Sequence, residues 1–199
     1  MRYLISIMLG LVFYKHQTVT FKDSTCKCVL YPSIANKDSI DSSADAEFAV
    51  GDDDINNVVE PKVFYCKQTL KKPITELNDY NLTTSASVDK GDCIEYTYDL
   101  KNTEGAKVEI RKIFFFNGNR KSIADWKKSG RIKKVSLFVN GKPKCCLFLT
   151  DTYKMQTFGI NKITAESGQV LKVKFKIKEM YNASDKKKFM ISEIMFSGK

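Results

Sequence analysis

Residues 170–178 read VLKVKFKIK, and this nonapeptide constrains the fold more than any other part of the chain. Leu171, Val173, Phe175 and Ile177 alternate with Lys172, Lys174, Lys176 and Lys178. A helix would scatter both sets around its axis, whereas a strand sends successive side chains to opposite faces. A slip of one residue against the neighbouring strands would bury the whole lysine set, so register is specified together with conformation. The segment must be a strand of a sheet with one packed face and one wet face.

Strand signals recur along the chain from residue 62 onward. Residues 62–66 (KVFYC) are short and aromatic, and residues 93–100 (CIEYTYDL) place Ile94, Tyr96, Tyr98 and Leu100 on one face. Residues 108–116 are apolar enough for a central strand, and a change of phase near Lys112 and Ile113 predicts a bulge. Residues 132–139 lead into Asn140-Gly141, the dipeptide that best favours a tight hairpin, and residues 144–149 follow it. Residues 155–160 and 189–196 are further strands, and only residues 122–128 read as helix. About eight strands with almost no helical pattern predict an all-β fold, an antiparallel β-sandwich. The sequence holds no internal repeat and no glycine-rich phosphate loop.

At 199 residues the chain suits one domain with accessory segments. Arg2 precedes a twelve-residue apolar stretch, residues 3–14, which has the length of a secretory h-region and is too short for an ordinary spanning helix. Residues 1–25 are therefore expected to be a leader, 26–61 a linker or mobile extension rich in Ser, Ala and Asp, and 62–199 the folded domain. That organisation predicts an exported protein, secreted, periplasmic or on the cell surface, with no integral membrane segment once the leader is removed. The six cysteines, at 26, 28, 66, 93, 145 and 146, permit disulfides in such a compartment without fixing their pairing. Because strand neighbours face opposite ways, one of the adjacent Cys145 and Cys146 is expected in the core and the other exposed.

The net charge of +10 is unevenly spread, with −4 in residues 1–60 and +14 in residues 61–199. A basic domain is drawn to anionic partners. The single histidine, His16, lies in the leader, which removes histidine-based nucleophilic catalysis and most zinc sites from the domain. No spacing singles out a pair of carboxylates for hydrolysis. The acidic run Asp52-Asp53-Asp54 is no EF-hand loop, because Asn57 stands where glycine is required and Val63 where glutamate is required. The expectation is a protein with no catalytic residues, no metal site and no cofactor.

Four segments carry a family likeness. They are Gly91-Asp92-Cys93-Ile94-Glu95-Tyr96; Phe116-Asn117-Gly118 with Lys121-Ser122; residues 126–134 (WKKSGRIKK); and Ile191-Ser192-Glu193-Ile194 with Phe196 and Gly198. In this order they resemble the NADase-type glycan-binding domain, the non-catalytic module of a secreted bacterial NAD-glycohydrolase toxin, related in fold to discoidin and galactose-binding jelly rolls. The resemblance implies a discoidin-like jelly roll over residues 62–199 that binds a glycan or a cell-surface protein and is not an enzyme. The family's Thr-Ala-Trp-x-Glu-Gly loop is replaced here by Thr84-Ser85-Ala86-Ser87-Val88, without its tryptophan or glutamate.

Loops held by a rigid sheet are where binding usually resides. The candidate ligand-binding residues are accordingly Asn119, Arg120, Trp126 and Lys128, on the loop between two strands. Trp126 beside Lys127 and Lys128 suits stacking on a sugar face, or else plugs the core from the loop. Arg131 can bridge to an anion or tie its loop to Asp151 or Glu193. Glu193, inside an apolar strand, calls for a salt-bridge partner if buried. Nucleic acid is the competing partner class for so basic a domain. It is not expected, since Phe175 faces away from the lysines that alternate with it.

Overall fold

The computed structural model describes residues 28–34, 60–68, 70–77, 79–181 and 188–198. The stretch read as a leader, which contains His16, and the acidic run at 52–54 lie outside them. Two β-sheets pack face to face, as expected. The larger contains β1 (Val29–Leu30), β3 (Lys62–Lys67), β4 (Leu70–Pro73), β6 (Cys93–Asp99), β8 (Ile132–Val139), β9 (Lys142–Phe148) and β11 (Val170–Met180), in the order β1-β9-β8-β11-β6-β3-β4. The smaller contains β2 (Ser33–Ile34), β5 (Ala86–Val88), β7 (Lys107–Asn117), β10 (Gln156–Glu166) and β12 (Phe189–Ser197), in the order β2-β10-β7-β12-β5. The one helix among the described residues is α1 (Ile123–Lys128).

The lysine-alternating strand is β11, the centre of the larger sheet, paired antiparallel with β6 on one side and β8 on the other. Leu171, Val173, Phe175 and Ile177 are buried, and so are Ile94, Tyr96, Tyr98 and Leu100, the residues expected inward on β6. Phe175 meets Phe115 of the smaller sheet edge-on with centroids 5.3 Å apart, and Phe115 meets Phe158 in the same way at 5.8 Å. Tyr96 and Phe196 complete the aromatic centre, both within 6.2 Å of the Phe175 ring. The buried Tyr96 hydroxyl donates to the Leu77 carbonyl at 2.9 Å, which brings its polar end into the core without an unmet hydrogen bond.

The wet face of the larger sheet is less simply basic than the sequence implies. Glu95, opposite Lys174 in the register, is buried there and accepts from Lys174 at 2.8 Å and Lys71 at 2.7 Å. Burial alone would raise its pKa, but the two ammonium groups hold it below the ordinary carboxylate value.

Several elements differ from expectation. Among the described residues there are twelve strands rather than about eight, because short strands finish the sheet edges. Two of them, β1 and β2, come from the stretch read as a linker, and they add to β9 and β10. The irregularity read at Lys112 is real but sits on the partner strand. Lys112 pairs with Gly159 and Ile110 with Ile163, so the extra residues belong to β10. Cys146 is not exposed. Val29 of β1 lies beside it in the register, so both adjacent cysteines are buried, and Cys146 is disulfide-bonded. The hairpin at Asn140-Gly141 is as expected, both residues having positive φ, which that tight turn requires.

The aromatic centre should dominate stability. Phe175→Ala is expected to cost about 3–5 kcal/mol in denaturant unfolding, whereas Lys176→Ala on the same strand should change it by under about 0.5 kcal/mol. Equal effects would mean that β11 does not divide the core from solvent.

Candidate functional site

Antiparallel pairing brings the end of β7, the start of β8, the end of β9, and the starts of β10 and β12 to one end of the sandwich. The opposite end carries the Asn140-Gly141 hairpin. At the first end the chain leaves β7 at Asn117, forms the loop 118–131 that contains α1, and enters β8 at Ile132. The loop thus crosses from the smaller sheet to the larger.

Asn117 holds the two ends of this crossing together. Its Nδ2 donates to the Ile132 carbonyl at 2.7 Å, and its Oδ1 accepts from the Ile132 N–H at 2.9 Å. A carboxamide has one donor side and one acceptor side, so it can satisfy both backbone groups of one residue as a neighbouring strand would. Gly118 follows at φ +90°, where a side chain is strained, and a Cβ there would meet Trp126 Cδ1 at 2.5 Å. Ser192 of β12 supports the next turn, donating to the Gly118 carbonyl and accepting from the Arg120 N–H, each at 3.0 Å.

The helix is short and capped on both counts that matter. Ser122 accepts from the Asp125 N–H at 3.0 Å, and Asp125 occupies the first turn with Lys127 and Lys128 in the last. This turn delivers Trp126 back toward the sheet. Its Nε1 donates to the Asn117 carbonyl at 2.8 Å, and its ring meets Tyr153 edge-on at 5.9 Å. The Arg131 guanidinium lies 4.4 Å over the same ring. Arg131 also grips both oxygens of Asp151, at 2.5 and 3.1 Å, and donates to the Ser129 carbonyl at 2.6 Å. Of the two ties expected for Arg131, the structure contains the one to Asp151.

The four sequence-derived candidates therefore have different surroundings. Trp126 is half-buried with one face under Arg131. Arg120 is buried, its guanidinium between the Phe116 and Tyr153 rings at 4.8 and 4.5 Å. Asn119 is half-buried, and its Oδ1 accepts from the Lys121 N–H at 3.1 Å. Lys128 is exposed at the end of α1, and Ile123 at its start is 57% exposed. Trp126 and Arg120 share Tyr153 as a neighbour, so the two belong to one stack. Tyr153, Asp151, Asn117 and Ser192 were not among the candidates. Asn117 and Ser192 stand within the quoted motifs, whereas nothing local to Asp151-Thr152-Tyr153 marks that segment.

Glu193 departs from expectation. It is 1% exposed, and no cation pairs with it among the described residues. Burial and then the nearby Asp79 carboxylate push its pKa up to about 8, against the backbone N–H groups of Ile194 and Tyr80. A salt bridge was expected because a buried carboxylate needs one. The protein instead keeps the group protonated at neutral pH, which removes the need.

An open hollow of about 490 Å³ lies at the opposite end, by the Asn140-Gly141 hairpin, and is lined by Glu95, Val170, Lys172 and Lys174. It contains none of the candidate residues. Among the described residues there is no cluster of His, Cys, Asp and Glu that could hold a metal, and no helix is long and apolar enough to cross a membrane.

Residues 61–197 match the family model described as the NAD glycohydrolase translocation F5/8 type C domain. Three similar solved structures come from Clostridium perfringens ZmpB. The CBM32-1, CBM32-2 and M60 catalytic domains match at 15% identity and TM-score 0.47, over 69% of this chain and 14% of that one. The CBM32-1 and CBM32-2 domains in complex with GalNAc match at 13% and 0.45, over 70% and 33%. The same two domains in a further structure match at 12% and 0.48, over 88% and 42%. The chain thus spans less than half the length of each. No curated protein matches it.

The raised pKa of Glu193 has a definite sign in stability. The native state holds a proton that the unfolded state releases near the ordinary value of 4.5, so this group's contribution is intact below that value and is lost as pH rises through about 8. Glu193→Gln should therefore gain in melting temperature over the parent as pH is raised from about 5 to about 9. Parallel curves for the two proteins would mean that Glu193 is ionised in the native state.

Proposed function

The chain belongs to the NAD glycohydrolase translocation F5/8 type C domain family, and from that premise we propose that it is an exported, non-catalytic module that binds a glycan or a cell-surface protein. The observation that carries this reading is the division of labour in residues 118–131. The backbone of the loop is fixed from beneath by Asn117, Ser192 and the Trp126–Arg131 stack, while Lys121, Ile123 and Lys128 project exposed from the end of the sandwich. A preorganised loop with an exposed tip loses little conformational entropy when a ligand arrives.

In this reading the four candidate residues take two roles. Asn119 and Lys128 contact the ligand. Arg120 and Trp126 position them, since the indole and guanidinium faces are already engaged by Tyr153, Phe116 and Arg131. The family's description names translocation of a glycohydrolase rather than the hydrolysis itself. A module that anchors a partner enzyme to a target surface fits that description. The apolar leader, residues 3–14, supports export.

Nucleic acid is the less favoured partner. Binding a single strand calls for aromatic platforms among the cations, and Phe175 is buried on the far face from Lys174 and Lys176.

A glycan array probed with the purified chain tests the proposal, with melting temperature measured on every sample. A restricted set of glycans should be retained, and Asn119→Ala and Lys128→Ala should each weaken binding about tenfold at unchanged melting temperature. Trp126→Ala should lower stability by about 3–5 kcal/mol. Retention of no glycan and no cell-surface protein, or wild-type binding by both polar variants, would contradict it. Binding to DNA that collapses steeply with added salt would favour the other partner class.

A further inference from the structure

Four cysteines are unbonded among the described residues: Cys28, Cys66, Cys93 and Cys145. Two of these are directly opposite one another. Cys66 of β3 and Cys93 of β6 are register partners in an antiparallel pair, and both are half-buried. Opposed residues on one face of such a pair have Cβ atoms about 4.5–5.5 Å apart, close to the separation of about 3.5–4.5 Å that a disulfide needs. Opposition alone brings many side-chain pairs together. What sets this one apart among the described strand registers is that both members are cysteines, in a chain where Cys146 already carries a disulfide.

We propose that Cys66 and Cys93 form a disulfide that staples β3, and with it the edge strand β4, to the body of the larger sheet. The oxidant is a low-molecular-weight disulfide such as oxidised glutathione. One cysteine thiolate attacks it, forming a mixed disulfide and expelling one glutathione thiolate. The second cysteine thiolate then attacks the protein sulfur of that mixed disulfide and expels the other. Two thiols lose two protons and two electrons, and one glutathione disulfide becomes two glutathione thiols.

The position gives the bond a purpose. β4 is the outermost strand of its sheet, and all four of its residues are exposed. Among the described residues, its one strand partner is β3. The same junction adjoins the turn at residues 89–92, where Tyr65 donates to the buried Asp92 and Lys67 pairs with Asp89 at 2.8 Å. Burial pushes the Cys93 thiol up to about 12, so the reduced form of the folded protein holds it protonated and unreactive, and closure should go fastest while the chain is still folding.

Peptide mapping of the full chain without reduction, after refolding in a reduced and oxidised glutathione buffer, tests this with no substitution needed. Trypsin should release residues 63–67 and 91–101 as one linked species that separates on reduction. In Cys66→Ser, refolded in the same way, Cys93 should become alkylatable once the protein is denatured. Recovery of the two wild-type fragments singly, each alkylated at its own cysteine, would overturn the proposal. So would linkage of either fragment to one carrying Cys28, Cys145 or Cys146.

Discussion

The Asn117 carboxamide is the contact on which this end of the molecule depends. β7 and β8 are consecutive strands of different sheets, and the loop between them meets backbone partners at its two ends, where the Gly118 N–H donates to the Met190 carbonyl at 3.0 Å and Gly130 bridges to Phe189. By bonding both backbone groups of Ile132, Asn117 closes the crossing at its base. The cost of losing one buried partner here is of the order of 1–3 kcal/mol for each group left unpaired. The Asn117 carbonyl then receives the indole N–H, so the same residue that joins the sheets also sets the depth of Trp126.

From that joint the remaining order follows by contact. Trp126 offers its face to Arg131, and Arg131 spans to Asp151 on the β9–β10 connection. Tyr153 from that connection packs on Trp126 and Arg120, and its hydroxyl donates to the Arg120 carbonyl at 3.2 Å. The loop 118–131 and the connection 149–155 are therefore a single packed unit. Alternating guanidinium and aromatic planes support it while leaving Lys121, Ile123 and Lys128 exposed at its outer rim, the arrangement the proposed recognition role calls for.

The fold was legible because its signals are local and periodic. The apolar and lysine alternation of β11, the alternation of β6 and the Asn140-Gly141 turn each state a register in a few residues, and each is found as read. Short edge strands such as β1, β2 and β5 were not legible, since two or three residues carry no period. The motifs were read correctly as a family likeness, yet most of their residues are the frame. Asn117, Gly118, Ser122, Ser192 and Arg131 bond one another and the loop backbone. Glu193 shows what sequence alone leaves out. Its protonation is set first by how deeply packing buries it, and then by the Asp79 carboxylate, more than a hundred residues earlier in the chain.

Residues 118–131 are ordered from below, through Asn117, before any ligand is present. Hydrogen–deuterium exchange of wild type against Asn117→Ala, in the absence of ligand, addresses it most directly. The amides of Ile132, Trp126 and Ser129 should be protected in wild type and lose protection in the variant. Amides of β11 near Asn140-Gly141, at the other end, should keep theirs. Rapid exchange of those three amides in wild type, or a variant whose exchange rises equally at both ends, would contradict it.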